Sequence, residues 1–161
     1  MPQVDESAAS LAEIAWLAND HEVRAMLDEV CRATAMGFAA VARVTDQRWI
    51  ACQVIDHIDF GLQPGDELEL KTTICDEIRQ SHSGVVIDNV RADPSWRTHH
   101  TPALYGFQSY VSFPIVLKDG SVWGTLCAID PNPRDIRARE VVALFERFAA
   151  RIAERLSHVG T

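Results

Sequence analysis

Tyr105-Gly106-Phe107-Gln108-Ser109-Tyr110-Val111-Ser112-Phe113-Pro114-Ile115, then Lys118-Asp119-Gly120, then Trp123-Gly124-Thr125-Leu126-Cys127-Ala128-Ile129-Asp130-Pro131-Asn132-Pro133, is the most legible part of this chain. Ser109 to Leu117 and Ser121 to Ile129 are rich in β-branched and aromatic residues and are joined by a glycine turn, the pattern of a β-hairpin. Pro131 and Pro133 stop the sheet, because proline has no N–H to give to a ladder. Beyond them, Arg134 to His158 reads as one long helix, with Ile136, Val141, Leu144, Phe145, Phe148, Ile152, Leu156 and Val159 as its apolar stripe. Arg134 to Glu140 reads as its charged first turns, held by ion pairs four residues apart.

Upstream, the chain opens with helical periodicity. Residues 7–18 place Leu11, Ile14, Ala15 and Trp16-Leu17 at helical spacing. Asp20 then caps a second helix carrying Val23, Met26, Leu27, Val30, Cys31 and Thr34, with Gly37 as its stop. Phe38 to Val44 and Arg48 to Ile58 are strand-like runs around an Asp46-Gln47 turn. Leu68-Glu69-Leu70-Lys71 alternates. Thr72 or Thr73 caps a short helix reaching about Ser81, Gly84 ends the turn after it, and Val85-Val86-Ile87 is a further strand. Asp88 to Tyr105 reads as the longest irregular stretch, and long loops in compact domains are usually functional. The order predicts an α/β fold of the α+β type: a central antiparallel sheet of about six strands, the terminal helices on one face and a loop-rich face opposite.

At 161 residues the chain fits one domain, 1–161, and its 47% apolar and 24% charged content are those of a globular protein. The formal charge of −8, with 15 Lys and Arg against 23 Asp and Glu, excludes a basic face for nucleic acid or an anionic membrane surface. The four cysteines, Cys31, Cys52, Cys75 and Cys127, contain no CxxC pair and read as buried thiols of a reducing compartment. No apolar run reaches the ~18 residues of a spanning helix, and the N-terminus lacks a signal-peptide pattern, so a cytoplasmic location is expected.

The closing hairpin resembles that of GAF domains, whose pattern runs G, hydrophobic, x, S, hydrophobic, then P-I, a turn glycine, and x-G-x-L-x-x-x-D. Thr73-Ile74-Cys75-Asp76-Glu77-Ile78 and Val86-Ile87-Asp88-Asn89-Val90 sit in the family's order, so the resemblance covers roughly residues 20 to 156, with 7–18 as an N-terminal helical extension. It implies a sensory or regulatory module of bacterial signalling proteins such as two-component systems. It also implies a small-molecule cavity between the sheet and the loop-rich face, a homodimer through the terminal helices, and an output domain or kinase as partner. A ligand-free dimerisation scaffold is the alternative.

Narrower branches of the family are tested by particular residues. Leu104-Tyr105-Gly106-Phe107-Gln108-Ser109 resembles the segment that follows the bilin-attaching Cys-His pair of phytochromes, but His99-His100 stands where that pair belongs. A thioether linkage needs a thiolate, so covalent bilin attachment is not expected, and non-covalent tetrapyrrole binding is the form left open. His99 and His100 have no carboxylate or thiol at a standard ligand spacing, so no metal is expected. Cys75 resembles one cysteine of the free methionine-(R)-sulfoxide reductases, without a resolving cysteine in the following loop. No enzymatic activity is therefore expected, and a reductase of that type is the enzymatic alternative. The cyclic-nucleotide signature of the family is missing. Candidate cavity residues are Cys52, Ile74, Cys75, Trp96, His99, His100, Tyr105, Phe107, Tyr110, Ser112, Cys127 and Ile129. Of these, Cys127 and Ile129 also read simply as core, while Trp96, Tyr105 and Tyr110 carry an apolar body with a polar tip suited to a ligand edge.

Overall fold

The computed structural model describes residues 11–158; the first four residues of the expected 7–18 helix, and Val159 of the last apolar stripe, lie outside them. The helices are α1 (11–18), α2 (His21–Thr34), α3 (Ile74–Ser81), α4 (His100–Tyr105) and α5 (Arg139–Leu156). The strands are β1 (Phe38–Val44), β2 (Trp49–Asp56), β3 (Glu67–Leu68), β4 (Val85–Ile87), β5 (Ser109–Val116) and β6 (Val122–Asp130). They form one six-stranded sheet in the order β3-β2-β1-β6-β5-β4, and every neighbouring pair is antiparallel.

β6 holds the sheet together because both its edges are paired. Phe38 to Arg43 of β1 face Ile129 to Gly124, and Ser109 to Val116 of β5 face Asp130 to Val122. Its side chains alternate between two cores. Leu126 and Ala128 join Leu17, Val23, Leu27, Phe145 and Ile152 under α1, α2 and α5. Cys127 and Ile129 join Phe38, Trp49, Ile74, Ile78, Phe107 and Tyr110 on the opposite face. Two bulges interrupt the alternation. Ile115 faces Gly124 while Val116 faces Val122, so Trp123 is the extra residue and turns into the helix-side core. Val41 faces Gln53 while Ala42 faces Ala51, so Cys52 is left over and also packs on the helix side.

Helix ends follow local chemistry. The Asp20 carboxylate accepts from Val23 N at 3.0 Å and caps α2 as the sequence implied. The stop is Ala35, in the left-handed region at φ 61°, and not Gly37. Gly37 is needed two residues later for space, since a Cβ there would lie 2.2 Å from Ile58. Thr73 caps α3 by accepting from Asp76 N, and the helix ends at Ser81, as expected, with His82 in the left-handed region after it. The alternating run after Glu67 forms only a two-residue strand. Leu70 turns inward, buried, and Leu70–Thr72 becomes a 3-10 turn.

Two further expectations need correction. Asp88 to Tyr105 is not wholly irregular: it holds a 3-10 turn at Val90–Ala92 and α4, whose N-cap is the His99 ring accepting from Thr101 N. The last helix starts at Arg139, not Arg134. Residues 134–138 are held off helix by β4's exit: Arg134 N donates to the Asp88 carbonyl at 3.0 Å and Ile136 N to the Asp88 carboxylate at 3.2 Å. Ile136 is fully buried there. Arg134 and Arg137 accordingly pair with Asp130, Asp88 and Asp93, not along the helix.

Two stability predictions follow from this frame. β6 approaches β1 so closely at Gly124 that a Cβ would lie 1.9 Å from the Ala42 carbonyl oxygen. Gly124→Ala is expected to lower stability in urea unfolding by about 2–3 kcal/mol, because backbone rather than a flexible side chain must move. Asp20 supplies the second. Burial pushes its carboxyl up, but the Arg155 bond at 2.5 Å and the Val23 N–H outweigh it and hold the group below 3.8. A depressed carboxyl stabilises the fold above its unfolded pKa, and that contribution is lost as pH falls through the folded value. Asp20→Asn keeps the cap and loses the ion pair. It should cost about 1 kcal/mol near neutral pH, and the difference from wild type should close as a pH series of unfolding midpoints descends below 3.8.

Candidate ligand site

On the face away from α5, the sheet, the 57–62 loop and α4 enclose two connected spaces. An open cleft of about 560 Å³ runs between Ile58–Leu62, Leu104–Phe107 and Ile129–Pro131. Behind it lies an apolar chamber of about 40 Å³ bounded by Phe38, Trp49, Thr73, Ile74, Cys75, Thr101, Tyr110 and Cys127. Phe60, Leu62, Leu68, Tyr105, Phe107 and Ile129 belong to both walls and form the throat between them.

The throat is built by short-range chemistry. The Asp56 carboxylate accepts from the N–H groups of Ile58, Phe60 and Gly61 at 3.1, 3.1 and 2.8 Å, which folds the loop over the end of β2. Burial pushes this carboxyl up, but those three N–H groups hold it below its ordinary value. Phe60 is thereby set 5.0 Å from the Phe38 ring and 6.0 Å from Tyr105. From the other side, α4 is fastened by the Tyr105 hydroxyl bonded to Thr72 Oγ1 at 2.5 Å and by Thr101 Oγ1 donating to the Thr72 carbonyl.

Inside the chamber, side chains from α3, β5 and β6 converge on sulfur. Cys75 Sγ lies 3.2 Å from Thr125 Oγ1, 3.6 Å from the Tyr110 hydroxyl and 4.0 Å from Ser112 Oγ. Hydrogen bonding from the Cys127 thiol, then from Thr125 and Tyr110, holds Cys75 below the ordinary thiol range against the upward push of burial. Cys127 and Tyr110 are pushed the other way, Cys127 by its bond to Cys75 and Tyr110 by burial. Elsewhere burial raises the thiols: Cys31 to about 11 and Cys52 to about 12. The Trp49 indole N–H is buried in the chamber wall without a hydrogen-bond partner.

Of the residues singled out from sequence, Ile74, Cys75, Tyr105, Phe107, Tyr110, Cys127 and Ile129 border the chamber, and Ser112 stands beside Cys75. Cys52 does not: it is the extra residue of the β2 bulge and packs under the helices. His99 and His100 are also outside the lining. His99 Nε2 meets Glu77 Oε2 at 2.9 Å, its ring stacks on His100 at 4.4 Å, and Trp96 lies 4.8 Å from it. This cluster anchors the loop ahead of α4. Among the described residues no group of three or more His, Cys, Asp or Glu side chains is arranged for a metal ion, and no helix is long and apolar enough to cross a membrane. Sequence reasoning missed Trp49, Phe60, Leu62 and Leu68. Phe60 was detectable, since Asp56 followed by Gly61 marks a turn that must present what lies between.

A GAF domain family profile matches residues 20–156. The chain belongs to the GAF domains. This is a family of small-molecule sensing and regulatory domains, and the six-stranded antiparallel sheet with flanking helices is its fold. Solved structures agree. The GAF domain of an Acinetobacter phosphoenolpyruvate-protein phosphotransferase superposes with a TM-score of 0.67 at 13% identity, covering 98% of this chain and 94% of that one. The chromophore-binding domain of a bacteriophytochrome from R. palustris gives 0.69 at 15% identity, covering 96% of this chain and 62% of that one. A type II free methionine-R-sulfoxide reductase from Thermoplasma acidophilum gives 0.66 at 11% identity, covering 91% and 96%. At these identities the likeness is one of fold. No curated protein sequence matches the chain.

The two indoles of the sheet make a comparison. Trp123 Nε1 donates to Glu13 Oε1 at 2.8 Å, whereas the Trp49 N–H is unpaired. Trp123→Phe forfeits a hydrogen bond, while Trp49→Phe removes a buried unsatisfied donor. By chemical denaturation, Trp123→Phe is expected to be the more destabilising by about 1–2 kcal/mol; equal costs would show that the Trp49 donor is satisfied in solution.

Proposed function

We infer that this GAF domain is a sensor for a neutral or cationic small molecule that seats an apolar or aromatic body in the cleft. The observation that carries this is the composition of the walls. Among the described residues no Lys, Arg or His lines either space, while Asp59 and Asp130 border the mouth and Phe60, Tyr105 and Phe107 supply aromatic surface. Anionic ligands such as cyclic nucleotides recruit Arg or Lys, and none lines the described walls of the cleft. Aromatic faces beside a carboxylate suit a cation or a neutral ring, and the unpaired Trp49 N–H suits an acceptor reaching the chamber.

The route to an output is the polypeptide itself. Ile129, Asp130 and Pro131 border the cleft, and the next residues are the segment tied to Asp88 that leads into α5. A ligand pressing on Asp130–Pro131 shifts the start of α5 relative to β4, and a kinase or other output domain, in this chain's partner or its own continuation, reads the displaced helix. The apolar stripe of α5 is taken up by its own sheet, with Val141, Leu144, Phe145, Ala149, Ile152 and Leu156 buried. Pairing of two copies through the terminal helices therefore uses what is left, chiefly half-buried Phe148 and exposed Leu11.

A thermal-shift panel of neutral and cationic aromatic compounds, with cyclic nucleotides alongside, tests the reading. A true ligand at a hundred times its Kd adds about 2.7 kcal/mol, a rise of roughly 5–10 °C for a domain of this size. Leu68→Trp, which blocks the throat from a half-buried position, is expected to keep the unliganded melting temperature and abolish that rise. Stabilisation by cyclic nucleotides alone, or a rise that survives Leu68→Trp, would overturn it.

A further inference from the structure

The inner chamber holds two thiols that the sensory reading leaves unused. Cys75 on α3 and Cys127 on β6 both face it, and α3 lies directly against β6. The space is small: about 40 Å³ admits two or three water-sized molecules and excludes a nucleotide or an amino acid. Phe60, Tyr105 and Phe107 are shared with the wall of the larger cleft and stand between it and the chamber.

We propose that Cys75 and Cys127 are a dithiol site for small hydroperoxides, with Cys75 as the nucleophile and Cys127 as the resolving thiol. The position of Cys75 serves that role. It sits in the first turn of α3, immediately after the Thr73 cap, where the helix end favours an anion. Three hydroxyls surround its sulfur, from Thr125, Tyr110 and Ser112, at 3.2 to 4.0 Å. The unpaired Trp49 N–H adds a fourth donor in the same wall. The directions of the shifts agree: the pair gives up one proton readily, at Cys75, and holds the second, at Cys127. Tyr110, raised by burial, keeps its proton and is a donor. No such surroundings exist at Cys31 or Cys52, whose thiols burial pushes up.

The chemistry balances without a metal or cofactor. The Cys75 sulfur attacks one peroxide oxygen, the O–O bond breaks, and the departing oxygen leaves as water or an alcohol with the proton that Cys75 gave up. Cys75 is then a sulfenic acid. The Cys127 sulfur attacks it, the S–O bond breaks, and the hydroxyl leaves as water with the Cys127 proton. Two thiols and one hydroperoxide become one disulfide, one water and one water or alcohol. Each sulfur is oxidised by one electron, and the peroxide oxygens take up both. An exogenous dithiol restores the thiols by exchange.

The test uses the full chain, reduced and freed of reductant, with one equivalent of hydrogen peroxide near neutral pH. The intact product is expected to have lost about 2 Da; after quenching, unfolding and alkylation only two of its four cysteines are labelled, and peptide mapping places the bond between Cys75 and Cys127. The folded protein should consume peroxide at least about tenfold faster than the same chain in urea, because only the fold lowers the Cys75 thiol. Cys127→Ser should instead accumulate sulfenic and sulfinic acid at Cys75, and Cys75→Ser should react no faster than unfolded thiols. Should Cys75→Ser fail to fold, the folded-against-urea comparison on wild type decides alone. Four intact thiols, oxidation first at Cys31, or a faster reaction in urea would each overturn the proposal. None of these readouts requires an occupant of the outer cleft.

Discussion

One buried carboxylate joins the parts of this domain that must stay in register. Asp130, 2% exposed, accepts from Gly37 N at 2.9 Å and from Asn132 N at 2.9 Å, and faces Arg134 at 3.2 Å. Its own carbonyl accepts from Gln108 N at 2.9 Å. The start of β1, the end of β6, the entry to β5 and the segment leading to α5 thus meet on one residue. Burying a charge is costly unless it is paired and hydrogen-bonded, and here two backbone donors and a guanidinium meet that requirement. The same residue borders the cleft, so the interaction that closes the sheet also lies against whatever occupies the site.

The hairpins, the sheet and the helix-covered face were legible because each rests on local periodicity. β5 and β6 are long enough for alternation to show, Asp20 and Thr73 are cap residues in the right place, and Lys118-Asp119-Gly120 is a turn by composition. What was not legible depended on contacts distant in sequence. Nothing in Arg134 to Ala138 forbids helix; bonds to Asp88, 46 or more residues earlier, tie this segment to the end of β4 instead. Likewise Cys52 looks like any other apolar strand residue, and only the pairing of β2 with β1 shows which face it takes. The site follows the same division. Residues on the closing hairpin and α3 were found because the family pattern covers them, while Trp49 and Leu68 reach the chamber through the pairing of β2 with β3, a strand too short to announce itself.

The two halves of the cavity have different chemistry, and the difference follows from what made each wall. The cleft is walled by loops whose backbones are held by side-chain carboxylates, Asp56 on one side and Asp130 on the other, so its mouth is acidic. A negative rim with aromatic walls would disfavour anions, as the proposed ligand class requires. The chamber is walled by strands and α3, so its polar atoms are short hydroxyls and thiols that fit between close-packed backbones. Those groups cannot reach a bulky ligand in the cleft, but they do surround Cys75.

This arrangement gives the throat two roles from one set of residues. Phe60 and Tyr105 form the aromatic surface a ligand would cover, and they also stand between solvent and the two thiols. A molecule seated in the cleft would cover the aromatic residues that the two spaces share, and a bond between Cys75 and Cys127 would draw α3 toward β6 beneath Thr73 and the Thr72–Tyr105 contact. If a ligand and the disulfide each shift these shared residues, linkage makes the coupling reciprocal: a ligand that favours the dithiol form must bind that form more tightly than the disulfide form.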